Sequence, residues 1–420
     1  METAMTQGNR GRYYDERETW DPQRRESDLF ARLPAQIAHA KAHAPVYAKL
    51  LAHVDPKAIT SRAALAQLPV VRKSELLELQ KQARPFGGFA TVGWGRDMLR
   101  VFSSPGPIYE PEGRGEDAYG QARALFAAGF AEGDLVHNTF SYHLTPAGVM
   151  IESGAHALGC TVFPGGVGQT ELQVQAIADL KPTAYAGTPS FLRILIQKCR
   201  EAGVEMSFRK ALVSGEACPP ALQREFAEAG IDVYQSYGTA DVGLIAYETW
   251  AREGLVLAEH IIVEIVRPGG TEPVPEGEVG EVVVTTFNPV YPLIRFGTGD
   301  LSAILPGISP CGRTNTRIRG WLGRADQTTK VKGMFVHPSQ VLAVASRHPE
   351  VRRARLVVEN PNLSDVMILE CEVAGGDEGL RLAIETTLRE ITKLRGEVRF
   401  VPPGSLPNDG KVIDDRRKYD

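Results

Sequence analysis

Between residues 99 and 248 short apolar runs alternate with longer amphipathic ones. RVFSS, LVHNTF, GCTVFPGG, TAYAGTPS, KALVSGEA, DVYQSYG and LIAYE are brief, rich in β-branched or aromatic residues, and most end in small or turn-forming ones. They read as strands. DAYGQARALFAAGF, GVMIESGAHALG, ELQVQAIADL, SFLRILIQKCREAG and ALQREFAEAG lie between them with helical spacing. Such alternation predicts an α/β fold with a mostly parallel sheet, whose ligands sit at the carboxyl ends of the strands. Upstream, residues 27–51 are helical in composition, and Pro34 and Pro45 are expected to break that run or start new helices. LPVVRKSELLELQ at 68–80 predicts a turn and then a helix capped by Ser74, with Glu75 in its first turn.

The pattern changes after Glu281. EVVVTTF begins a β-rich stretch that runs into loops up to Gly323. SQVLAVASRHPEV then predicts a helix, and RRARLVVEN and SDVMILECEV a pair of strands. Leu380, Ile384, Leu388 and Ile391 mark one apolar face of a helix ending near Gly396, and EVRFV follows as a strand. The expected division is therefore a large domain over 1–325, with parallel sheets and a β-rich subdomain, and a small α+β domain over 326–420. Asp326, where the composition switches, is the expected hinge.

A chain of 420 residues exceeds what one core usually supports, in keeping with two domains. The net charge of −4 and a pI near 6.2 argue against nucleic-acid binding or membrane adsorption as the main task. There is no eighteen-residue apolar run and no apolar signal core in the first twenty residues, which read as a loose lead-in. Five scattered cysteines suggest a reduced, cytoplasmic protein and not a disulfide framework.

Candidate chemistry collects at strand ends. In YQSYGTADVGLIAYE, Gly238 permits a sharp turn, Tyr237 can lie flat on an adenine, and Asp241 can reach a phosphate-bound Mg²⁺. Thr239 lies in the same turn; a solvated strand-to-helix turn is the plain alternative. Ser214, Gly215 and Glu216 in VSGEA offer backbone to a nucleobase edge. Gly187–Ser190 reads as a helix N-cap that could line the same cleft. In LIRFGTGD, Asp300 can accept two ribose hydroxyls, and Arg324 in the following Gly-Arg-x-Asp turn adds a fork of donors. Lys411, after Gly410, is far along the chain and can act at that site only if a second domain brings it there.

YGTAD, RFGTGD, GRADxxxKxxG and PxxGK, in that order, resemble the adenylate-forming superfamily, and within it the phenylacetate–CoA ligase family. APVYAKLL, LPVVRKSEL, the CGR loop, KGMFVHPSQV and GKVIDDRR extend the resemblance to nearly the whole chain after residue 25. It implies a large N-terminal domain and a small mobile C-terminal one. It also implies ATP, Mg²⁺ and CoA as ligands, with an aryl or arylacetic acid activated as acyl-AMP and passed to CoA. Tyr237 would stack on adenine, and Asp241 would stand where the family has a Mg²⁺-associated Glu. Asp300 would bind the ribose hydroxyls and Arg324 would support ribose or phosphate. Lys411 would bridge acid and α-phosphate, its cation offsetting the repulsion between carboxylate and triphosphate. Lys411 must then withdraw so that CoA can enter.

Three departures stand out. The family's Ser/Thr/Gly-rich loop ending in Gly-Lys is replaced by residues 103–113, SSPGPIYEPEG. Pro105, Pro107 and Pro111 remove amide donors and Glu110 and Glu112 add negative charge. Ser103 and Ser104 remain there, and Arg114 is a candidate substitute cation. Second, relatives with a structural zinc use three cysteines and a histidine; Thr249 and Ser309 stand in two of those places, leaving His260 and Cys311. No structural zinc is expected from two ligands. Third, Pro146 replaces a glycine in FSYHLTPAG, where Tyr142 and His143 are candidate walls of the acid pocket. Two other readings stay open: a nucleotide- or acyl-CoA-binding protein without ATP turnover, and an ATP-independent acyltransferase. The sequence admits a homodimer without requiring one.

Overall fold

The computed structural model describes residues 12–417 apart from 105, 217, 268, 326–328, 333, 337, 362–364 and 408–410. The chain forms two compact units, one ending at Leu322 and the other beginning at Gly323. The border lies a few residues before the expected one, so Arg324 belongs with the small unit. Asp326 lies outside the described residues.

The large unit is built on two sheets. Its nine-stranded sheet is parallel at one end: Thr161–Pro164, Leu135–Asn138, Ala184–Gly187, Lys210–Val213 and Asp232–Thr239 lie side by side in that order. The helices of the alternating pattern connect them. At Asp232–Thr239 the sheet changes sense, because only Ala240, Asp241 and Val242 separate this strand from Gly243–Tyr247. So short a link cannot carry a helical crossover, and the pair is antiparallel. Leu255–Leu257, Arg317–Ile318 and Ile304–Leu305 continue the antiparallel half.

In the second sheet Val71–Arg72 runs parallel to Phe296–Ser302, which pairs antiparallel with Gly280–Thr286 and, beyond it, Ile261–Val266. The last two strands are buried throughout, as expected of strands covered on both faces. Arg295 enters this sheet at φ +47 and is wholly buried. Its guanidinium pairs with Glu264 at 3.0 Å and donates to the carbonyls of Ala66, Leu68 and Thr271. These bonds fix the start of the strand that carries Asp300.

Two local expectations about helices near the start of the chain are corrected. Pro34 does not break the first helix, which runs unbroken from Pro22 to His43 behind an Asp21 cap. Burying Leu29, Phe30, Leu33, Ile37 and Ala40 at ~1.5–3 kcal/mol for each large side chain outweighs the ~3 kcal/mol cost of an internal proline. Ser74 is not a cap: the helix spans Lys73–Gln82, and the Glu75 carboxylate turns back to accept the Arg72 amide at 3.1 Å. The reason is that Val71–Arg72 is held in the sheet, so the chain turns two residues earlier than local pattern suggests.

The described part of the lead-in is not loose. Glu18 has no exposed surface and accepts ion pairs from Arg123 (3.0 Å) and Arg313 (2.9 Å), and the Tyr247 hydroxyl donates to it. Asp15 adds a second contact to Arg123.

The small unit carries a four-stranded sheet in the order Glu397–Val401, Val366–Glu372, Arg353–Glu359 and Ile413–Asp415. Helices Pro338–Ser346 and Glu378–Thr392 pack with it. Ile384 and Leu388 are fully buried, with Leu380 and Ile391 at the margin of the same cluster. The second helix stops at Lys393, in the left-handed region at φ 62, and not at Gly396.

Candidate active site

The sheet reversal places two motifs together. Tyr237 lies at a bulge near the end of Asp232–Thr239, and its hydroxyl donates to Asp300 Oδ2 at 2.9 Å. Trp321 donates its indole N–H to Asp300 Oδ1 at 3.0 Å, and the Asp300 amide donates to the Thr298 hydroxyl. The carboxylate is thus nearly buried, yet it lies under an indole that is 46% exposed. Gly238 does not form an open turn over a ligand. A Cβ there would collide with the Gly243 carbonyl, so glycine is required by the close approach of the two strands. Thr239 Oγ1 accepts the Val242 amide and stiffens the turn that presents Asp241.

Asp241 is the centre of a charged group. Its side chain is 0% exposed, and Oδ2 accepts Lys73 Nζ at 2.5 Å. Lys73 is the first residue of its helix, placed there by the pairing of Val71–Arg72 with Phe296–Gly297. On the other side stands the hairpin of Met98–Ser104 and Ile108–Gly113, which occupies the segment expected to be a phosphate loop. Glu110 points inward from it and accepts the Ser104 hydroxyl at 2.6 Å. Burial, and then the neighbouring Asp241 charge, push the Glu110 carboxyl up to about 8 against the pull of Lys73 and Ser104. Glu112 pairs with Arg100 at 2.8 Å.

Other expected residues are placed as follows. Ser103 donates its amide to the Leu144 carbonyl, joining the hairpin to the segment expected to wall the acid pocket. Within that segment Tyr142 is fixed: its hydroxyl donates to Glu152 and accepts from Asn138, both at 2.8 Å. Gly148 lets the ring lie close, since a Cβ would be 2.7 Å from it. His143 is exposed on the loop. Arg114 lies beyond Gly113, which pairs with Met98, whereas Ser104 pairs with Ile108 at the other end. Six strand residues span ~20 Å, so the hairpin separates Arg114 from Ser104, and the Arg114 Nε donates to the Arg96 carbonyl. Ser214 gives its amide to Gly187 and its hydroxyl to Ser236, while exposed Glu216 accepts the Ser190 amide. Gly215 makes the turn between them at φ +80. Arg324 and Lys411 are in the small unit, where Lys411 is 3.7 Å from Asp414. Gly410 lies outside the described residues.

Residues 122–288 match the family model of the AMP-binding enzymes. A phenylacetate–coenzyme A ligase of Thermus thermophilus is 33% identical over 415 residues, covering 90% of this chain and 92% of that one. The chain belongs to the phenylacetate–CoA ligase family. The ligase of Aromatoleum evansii is 31% identical, with 84% and 80% coverage. Among solved structures, 2-hydroxyisobutyryl-CoA ligase with 2-HIB-AMP and CoA is 26% identical, with a TM-score of 0.78 over 97% of this chain and 93% of that one. The fold is accordingly that of the adenylate-forming enzymes.

Against the family pattern, Thr249 and Ser309 converge on the Cys311 sulfur, which also has the Arg313 guanidinium at 3.7 Å. Burial pushes the Cys311 thiol up, but these two hydroxyls and Arg313 outweigh it and hold the pKa below the usual thiol value. All five cysteines are buried and none is in a disulfide. Among the described residues no helix is long and apolar enough to cross a membrane.

Lys73, Glu110 and Trp321 were not legible as site residues in the sequence. Lys73 had one usable signal, a cation opening a helix within LPVVRKSEL. Trp321 had none, because an indole beside a Gly-Arg turn is uninformative until the strand holding Asp300 is folded against it.

Proposed function

We propose that this protein is an ATP-dependent acid–thiol ligase that activates an aryl or arylacetic-type carboxylic acid as its acyl-AMP and transfers it to CoA. The observation that carries this reading is the juxtaposition, within one unit, of Tyr237 and Asp300 with the Lys73–Asp241 pair. A nearly buried carboxylate beside a phenol suits a ribose with its base against the ring. A cation beside an acid in the next turn suits phosphates and their metal. Asp241 fits Mg²⁺, because its Oδ1 is buried and meets no donor other than the neighbouring Glu110 carboxyl. When bound there, the metal would neutralise phosphate charge. Tyr142, fixed by Glu152 and Asn138, is assigned to the acid pocket.

In this proposal Lys411 on the small unit meets the carboxylate and α-phosphate during adenylation, and Arg324 supports the ribose or phosphate. Movement of the small unit then withdraws Lys411 before the thiol attacks, and the acyl group leaves AMP for sulfur. The test is ATP–pyrophosphate exchange across a panel of aromatic acids, with hydroxylamine capture of acyl-AMP. Exchange with one or more acids is the expected result. Neither pyrophosphate nor acyl-AMP from the whole panel would overturn the reading. A second reading, a nucleotide-binding protein without turnover, draws on the acidic hairpin; it predicts AMP binding by calorimetry in the absence of any exchange.

A further inference from the structure

The hairpin at 98–113 is the least family-like part of the site, and its chemistry is opposite in sign to a phosphate cradle. Of the two carboxylates buried at its inner face, Glu110 gives Oε1 to the Ser104 hydroxyl and Asp241 gives Oδ2 to Lys73. The remaining oxygens, Glu110 Oε2 and Asp241 Oδ1, are both sealed from solvent and receive no hydrogen bond from any other described residue; the two carboxyls face and bond to each other. Both side chains are more than nine-tenths buried. Buried acceptors without donors are costly, by ~1–3 kcal/mol each and more when charged. Here a proton held between the two carboxyls relieves part of that cost, and a divalent cation taking its place would engage both oxygens.

The geometry points to a divalent-cation site formed by Glu110 and Asp241, through which the metal of a metal–nucleoside triphosphate, and not an amide cradle, docks the β- and γ-phosphates on this hairpin. Mg²⁺ is commonly held by one or two carboxylates plus substrate phosphates, with water completing the octahedron. Two carboxylates with one open oxygen each match that donor set, and the Ser104 hydroxyl and Lys73 orient them from either side. The site also accounts for the prolines. Pro107 and Pro111 remove amide donors that a metal-mediated contact does not need. Glu112 is excluded from the site, since its charge is already matched by Arg100. This assignment rests on the ligase reading and adds Glu110 to it as a metal-binding residue.

The test uses the full-length protein and Mn²⁺ as the probe, with free Mn²⁺ followed by electron paramagnetic resonance in the presence of ATP. Glu110→Gln keeps the Ser104 hydrogen bond and removes the carboxylate that would form when a metal displaces the proton. It is expected to weaken Mn²⁺ binding ~10-fold or more, the range typical of damage around a metal site. AMP affinity in EDTA and the melting temperature should remain those of the wild type. Asp241→Asn should show the same Mn²⁺ loss, and Glu112→Gln should not. Mn²⁺ affinity in Glu110→Gln equal to wild type, or absence of Mn²⁺ binding in the wild type with ATP bound, overturns the cation site while normal AMP binding leaves the ligase reading in place. Failure of the wild type to bind AMP at all would instead strike the ligase reading itself.

Discussion

Replacing Asp300 with asparagine tests the ribose assignment with little disturbance of shape. In the wild type the carboxylate receives the Tyr237 phenol at 2.9 Å on one oxygen and the Trp321 indole N–H at 3.0 Å on the other. An indole can only donate, so in Asp300→Asn the side-chain carbonyl must stay with Trp321 and the amide nitrogen must face Tyr237. The phenol can reverse and accept, and the protein contacts survive. What is lost is the negative charge and one of the two acceptors that a ribose diol would use. Hydrogen bonds to a charged group contribute ~1.5–3 kcal/mol and neutral ones ~0.5–1.5 kcal/mol. The expected deficit is therefore about 1–3 kcal/mol, or roughly ten- to hundredfold in AMP affinity. Calorimetric titration with AMP measures it, and a thermal melt of the same sample should shift only slightly, because packing and the two protein hydrogen bonds are kept. A variant that binds AMP as the wild type does would remove Asp300 from the ribose site. A variant that loses AMP only because it has unfolded would show it in the melt, and the reasoning about a structurally neutral exchange would then be wrong.

Lys411→Ala should reduce acyl-AMP formation by ~10² or more, the usual cost of losing one preorganised electrostatic donor. Thioester formation from supplied acyl-adenylate should persist, and equal loss of both steps would contradict the two-orientation mechanism. Glu18→Ala leaves the Arg123 and Arg313 guanidinium groups short of a shared buried acceptor. Urea denaturation should report a loss of ~3–5 kcal/mol; a change under ~1 kcal/mol would mean that the lead-in is dispensable to the fold. His260 keeps some open surface, but its Nε2 is sealed without a hydrogen bond. Burial, then repulsion from Arg123, Arg17 and Arg32, lowers its pKa from 6.5 to about 4. The folded state therefore holds the neutral ring, and stability is complete above pH 6.5. As pH falls from 6.5 towards 4 the unfolded chain takes the proton first, at a cost of up to ~3 kcal/mol. His260→Gln should flatten that part of the stability–pH curve, and an unchanged slope would refute the assignment. Gly120→Ala should destabilise strongly, since Gly120 has φ +71 and a Cβ would strike the His260 ring; an unchanged melting temperature would show that this contact is not rigid.

Much of the fold was legible because it depends on short-range pattern. The period of the helix over Glu378–Thr392 was visible in Leu380, Ile384, Leu388 and Ile391, and the paired strands Arg353–Glu359 and Val366–Glu372 in their β-branched runs. The order of YGTAD, RFGTGD, GRAD and PxxGK carried the family, since those motifs keep their sequence wherever the chain folds. Tertiary structure decided whatever depends on distant partners. Lys73 and Asp241 are 168 residues apart, and only the pairing of Val71–Arg72 beside the strand of Asp300 brings that helix end to the 239–243 turn. From sequence Glu110 reads only as an adverse charge, because its neighbour Asp241 lies across the fold. Pro34 and Glu18 defeat a local reading for the same reason. Local preference costs a few kilocalories at most, and a buried helix face or an ion network closed by Arg123 and Arg313 outweighs it only once the whole large unit has assembled.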